Sequence, residues 1–159
     1  MNWGSWLLWG FAATVVLTAL VAGSQGLGMT RMNIPYILGT MFTSDRDRAK
    51  PLGVLLHVIN GWVFSLLYVA AFHLWGGPAW WKGAAIGLVH AVFVLTAALP
   101  VLPGMHPRMA SESRGPTVMR QLEPPGFLAL HYGVQTPISI LVAHLVFGIV
   151  LGIFYEPGG

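Results

Sequence analysis

Among the side chains able to do chemistry, the histidines and tyrosines stand out, because two of each fall into one repeated pattern. HVINGWVFSLLY at 57–68 and HLVFGIVLGIFY at 144–155 both read H-x-x-x-G-x-x-x-[SG]-x-x-Y. At about 100° per helical residue, His57, Gly61, Ser65 and Tyr68 share one narrow stripe, as do His144, Gly148, Gly152 and Tyr155. Small residues four apart let helix backbones approach closely in lipid. A histidine on such a stripe has two uses. It can hydrogen-bond across helices, to Thr18, Thr96 or a backbone carbonyl, a bond worth about 0.6–2 kcal/mol in membranes. Alternatively, His57 and His144 are axial ligands of a b-type haem, since haem iron takes histidine. No second pair and no arginine for the propionates lies inside the apolar runs. His90 has no repeated counterpart, because Ala12 holds its matched position. It is a candidate to touch a quinone or pigment, to relay protons, or to satisfy Thr14 or Thr18. His73 is expected at a membrane boundary, and His106 and His131 in connections. Spacing alone supplies no metal site there, so no metal is expected.

The elements that must position these residues are charge-poor runs at 5–28, 52–75, 83–103 and 137–155, none containing Asp, Glu, Lys or Arg. Each is close to the roughly 20 residues that cross a hydrocarbon core as a helix. The chain is 55% hydrophobic and 8% charged, against roughly one quarter charged in soluble domains. The expected fold is therefore all-α: an integral membrane four-helix bundle, one transmembrane domain over residues 1–159. MNWGSWLLWG lacks a basic leader, so the first span is expected to be retained. With no cysteine, disulfides, iron–sulfur clusters and covalently attached haem are excluded.

Basic residues set the expected orientation. Arg31, Arg46, Arg48 and Lys50 lie in the first connection, Lys82 alone follows span two, and Arg108, Arg114 and Arg120 lie in the third connection. The positive-inside rule then puts both longer connections in the cytoplasm and both termini outside. Trp3, Trp6, Trp9, Trp75, Trp80 and Trp81 fall at that outer face, where indole favours the headgroup boundary. Arg31 and Arg108, in the corners GMTRM and GMHPRM, are expected to meet lipid phosphates or a partner. Because SDRDRAK interleaves acids with its cations, it reads as a solvated topology signal, and no nucleic-acid partner is expected.

ATVVLTA at 13–19 and AVFVLTA at 91–97 are identical at five of seven positions. The order suggests two tandem, same-orientation helical hairpins, about 10–75 and 83–155, related by an axis along the membrane normal. The two second helices are expected to meet along the glycine stripes. Segments 33–42 and 125–133 are too short to span and suit the interface. The stretch 106–125 is expected to be extended or mobile unless a partner covers it. Pro100 and Pro103 are expected to kink or end span three.

In the repeated H-x-x-x-G-x-x-x-[SG]-x-x-Y helices, the KGAAIGL start of span three and the proline-glycine-methionine exit at 103–105, the chain resembles small bacterial four-span membrane proteins of unknown function. The resemblance covers most of spans two to four. It implies the topology and the bacterial inner membrane, and no reaction. With no nucleophile-base set or phosphate loop in view, the expected function is a non-catalytic accessory or scaffold subunit. Its expected partners are membrane lipids and other integral membrane subunits, and it carries no cofactor. The alternative is a redox protein holding haem b or a quinone through His57, His144 and His90. A small channel or transporter is a further alternative, weakened by the lack of charged groups in the spans.

Overall fold

The structure, a computed structural model, describes residues 1–158. It contains α1 (Trp3–Gly26), α2 (Ile34–Thr40), α3 (Arg46–Leu74), α4 (Trp80–Phe93), α5 (Leu99–Met105) and α6 (Thr136–Phe154). A wide π turn, Val94–Ala98, joins α4 to α5 without a break, and a 3-10 segment, Phe127–Tyr132, precedes α6. Four stretches, Trp3–Gly26, Arg46–Leu74, Trp80–Met105 and Thr136–Phe154, are long and apolar enough to cross a membrane. The protein is an all-α, multi-pass four-helix bundle.

Local sequence explains the helix ends. The Asn2 side chain caps α1 by accepting from the Ser5 N–H at 3.1 Å. Asp45 caps α3 by accepting from the N–H groups of Asp47 (2.9 Å) and Arg48 (3.2 Å). That cap extends α3 six residues upstream of the apolar run expected to begin at 52. Pro100 ends neither helix nor span. It brings no N–H for the carbonyl of Thr96, and its ring crowds that carbonyl. Just upstream the turn widens, with the Leu99 N–H reaching Val94 O.

The two ends of the bundle differ. At one end the termini meet, the Glu156 N–H donating to Ser5 Oγ at 2.9 Å. Indoles gather there: Trp3 on Trp6 (5.7 Å), Trp75 on Trp81 (5.3 Å) and Trp9 on Phe154 (4.4 Å). At the other end the two longer connections knit together. The Arg31 N–H donates to Tyr132 O at 2.8 Å, and the Thr30 and Thr136 hydroxyls pair at 2.7 Å. Residues 106–125 form a turned loop closed by isolated bridges Met109–Leu122 and Ser111–Arg114, with Met109 fully buried. Its base at Met109 and Leu122 is thus tied to the chain, while its tip at 112–119 is exposed. Segment 33–42 yields α2. Within 125–133, Leu128 (φ 52°) and Ala129 (φ 59°) adopt the left-handed region, so it is a tight turn and not a regular interfacial helix.

Neighbour relations run α3–α1–α6–α4, while α3 makes only slight contact with either α6 or α4. Helix α6 is the hub, with 44% of its apolar window buried against 17% for α3. The array is therefore open along one side, between α3 and α4. The glycine stripes do not join the two second helices, as the sequence pattern suggested. The stripe of α6 faces α4, and that of α3 faces α1. A side chain on Gly148 would overlap the carbonyl of Gly83, one on Gly87 that of His144, and one on Gly152 that of Ala79. In the first hairpin Gly61 faces the Thr14 side chain and Ser65 lies beside Gly10. The close pairs, α1 with α3 and α4 with α6, are joined by the two longer connections, whereas the short turn at 75–79 joins α3 to α4, which barely touch; small residues mark where the backbones meet.

The matched heptapeptides share a buried stripe, since Ala13, Leu17, Ala91 and Leu95 are each at most 5% exposed. Their hairpins differ in height, however. Thr14, which faces Gly61, matches Val92, nine residues beyond the Gly83 that faces Gly148.

Candidate binding cleft

The open side of the array forms a cleft of about 190 Å³. His57, Asn60 and Phe64 line it from α3, and His90, Phe93 and Val94 from span three. Leu17 and Val21 of α1 and His144 and Phe147 of α6 form its back wall. Ile34 and Ile37 of α2 close it toward the looped end. Asn60 and Phe93 are exposed, so the mouth between α3 and α4 opens sideways.

Each histidine is held by its Nδ1. The Thr18 hydroxyl donates to Thr14 O at 2.7 Å, and Thr18 Oγ1 lies 3.1 Å from His57 Nδ1. His144 Nδ1 is 2.8 Å from Ile140 O. His90 Nδ1 is 3.0 Å from the hydroxyl of Tyr68, which is 1% exposed. The His90 ring stacks on Phe64 (4.9 Å, 10°) and meets His144 edge-on (4.6 Å, 81°). The three histidines singled out by sequence thus line one space, together with Gly61.

The other stripe residues pack or position. Ser65 accepts from Trp6 Nε1–H at 2.8 Å. Tyr155 binds His73 Nε2 at 3.0 Å at the indole-rich end. Both stripe tyrosines therefore pair with a histidine on another helix. Gly148 and Gly152 are backbone contacts and take no part in the cleft. Among the described residues, no group of three or more potential ligands could hold a metal ion.

Three features were not singled out from sequence. The Tyr68–His90 pair joins residues 22 apart, which no helical period relates. Asn60 was visible as a carboxamide in the middle of an apolar run. The seat of α2 on α3 was signalled by Ala49-x-x-x-Gly53, whose Gly53 lies against Pro35 O, while Gly39 of α2 lies against Ala49 O.

Below the cleft, the two corner arginines behave differently. Arg31 pairs with Glu123 at 3.3 Å and donates to His131 O. Arg108 donates to Thr40 O and has no carboxylate partner among the described residues. It shares a surface recess with Tyr36 and Ser44. His106 links this corner to α2. Its Nδ1 accepts from the Arg108 N–H at 3.1 Å, and its Nε2–H donates to Ile37 O at 2.9 Å. Burial lowers the His106 pKa and the Arg108 charge lowers it further, against the Ile37 bond that raises it. The Tyr132 phenol, whose hydroxyl donates to Glu123 O at 2.5 Å, is pushed up to about 12, chiefly by burial.

Comparison with protein families, curated proteins and solved structures finds no match for this chain. What the fold and the cleft define is a small multi-pass membrane protein with a largely apolar lateral cleft that carries three histidines and an asparagine.

Proposed function

We propose that this protein binds, without transforming it, one small lipophilic ring compound of the quinone and quinol class, admitted from the bilayer through the gap between α3 and α4. One observation carries the reading: three imidazoles and a carboxamide converge on an otherwise apolar cleft that opens sideways at membrane depth. Polar groups are costly in lipid and mark sites when they face a shared space. The volume, about 190 Å³, exceeds the roughly 150 Å³ cavity that holds benzene. It suits a single substituted ring whose tail leaves through the mouth. The volume gives less support to a b-type haem, since it lies below the roughly 300 Å³ at which sites for drug-sized ligands begin.

The accessory-subunit reading draws its support from α3, whose apolar window is only 17% buried and leaves a broad face for lipid or a partner helix. Arg108, with no carboxylate to pair with, is proposed to meet lipid phosphates. Charge asymmetry supports a cytoplasmic looped end.

Protein purified from its native membranes in lipid nanodiscs should retain a ring lipid detectable by mass spectrometry. It should also bind a decyl-substituted benzoquinone or its quinol at micromolar concentration. Ala98→Phe, filling the cleft at Val94–Ala98, should weaken binding by at least about tenfold, the scale of one lost apolar contact set. Retention of a larger membrane partner with no binding of either ring compound would sink this reading in favour of the subunit.

A further inference from the structure

We infer that the cleft selects the hydroxyl-bearing, reduced form of its ligand: a hydroquinone or phenol over the corresponding quinone. The inference rests on the binding reading above and adds the polarity of the hydrogen bonds. A neutral imidazole has one N–H donor and one acceptor nitrogen, and the partner of one nitrogen decides the role of the other. No acidic side chain lines the cleft to balance an imidazolium.

At His144 the assignment is direct. Ile140 O only accepts, so Nδ1 carries the proton and Nε2 is an acceptor. At His57 it follows in one more step. The Thr18 hydroxyl has a single proton, given to Thr14 O, so its oxygen accepts from His57 Nδ1–H. His57 Nε2 is then an acceptor as well. His90 is the reverse. The buried Tyr68 hydroxyl has no other acceptor among the described residues, so it donates to His90 Nδ1 and leaves His90 Nε2–H as a donor. None of these three Nε2 atoms has a partner within the described residues, and none is a sealed, unpaired atom of the interior. They are open to a guest.

The cleft thus offers two acceptors and one donor. A ligand hydroxyl matches both kinds, donating to His57 or His144 while its oxygen accepts from His90. A quinone carbonyl satisfies His90 alone and sets its lone pairs against those of the other two rings. Leaving buried polar groups unpaired is the strongest source of discrimination available to a site of this kind.

The test compares the two redox forms of one probe. The full chain in nanodiscs is equilibrated anaerobically with decyl-substituted benzoquinone or its quinol, and bound probe is quantified by mass spectrometry. The quinol is expected to bind at least about tenfold more tightly. Equal affinity, or tighter binding of the quinone, would overturn this inference and leave the cleft reading standing. Binding of neither form would overturn both. His57→Gln presents an amide that donates as well as accepts and leaves His144 as the one fixed acceptor, so it should reduce the preference by about threefold without abolishing it. Full preference retained in that variant would remove His57 from the assignment and overturn the two-acceptor scheme.

Discussion

The carbonyl of Gly83 occupies the space that a side chain on Gly148 would need, and the same holds in reverse. Two helices pressed that closely gain dispersion along their whole contact, in a solvent where apolar side chains gain nothing by leaving lipid. Gly148→Leu is therefore expected to push α4 off α6 and to lower stability by about 1–3 kcal/mol, the usual cost of overpacking. Reversible unfolding in detergent would measure it, with Val89→Leu on a 69% exposed lipid face as the neutral control. A Gly148→Leu variant as stable as the control would show that the backbones are not in contact. These glycines were legible in the sequence as a stripe. Their partner was not, because spacing along one helix names a face and leaves open which neighbour it meets.

At the scale of elements, α2 is the piece that closes the cleft toward the looped end, and its attachment includes a titratable link. His106 bonds as a neutral ring, accepting from Arg108 N–H and donating to Ile37 O. Its pKa is lowered on folding, first by burial. Between the unfolded value near 6.5 and the lower folded one, the unfolded segment binds a proton that the folded segment does not. The link is therefore fully stable above about pH 6.5 and weakens as pH falls below it. The protection factors of the α2 amides, observed exchange referred to the intrinsic rate at each pH, should fall between pH 7 and pH 5, and His106→Asn should remove that fall. Protection unchanged across the interval would show that the His106 link does not hold α2 in place. The four long helices were readable from composition and length, to within a few residues at most ends. The turn at Leu128 and Ala129 was not, since left-handed backbone at two non-glycine residues follows from what the turn packs against and from no local preference.

For the whole molecule, the termini and the indoles share one end and the basic connections the other. That geometry needs one further fact, the side of the membrane each end faces. The chain has no cysteine of its own, so single introduced cysteines report without background. Gly76→Cys, in the short turn beside Trp75, is expected to react with an impermeant thiol reagent on intact cells. Ser113→Cys, in the long loop, is expected to react only after permeabilisation. The opposite pattern would invert the orientation and put the cleft's closed end outside.

The sequence by itself determined that this protein lives in a bilayer, because no soluble fold hides so much apolar surface with so few charges. It also determined how many times the chain crosses and which helical faces carry small and polar groups, since both follow from composition and from the helical period. Tertiary structure alone decided that α3 and α4 meet mainly through Phe64, Tyr68 and His90 while α6 lies at the centre, and that His57, His90 and His144 open onto one space. Lipid is as good a neighbour for an apolar helix face as another helix is. Which faces stay open is therefore settled only where backbones touch, at a handful of glycines whose partners lie far away along the chain.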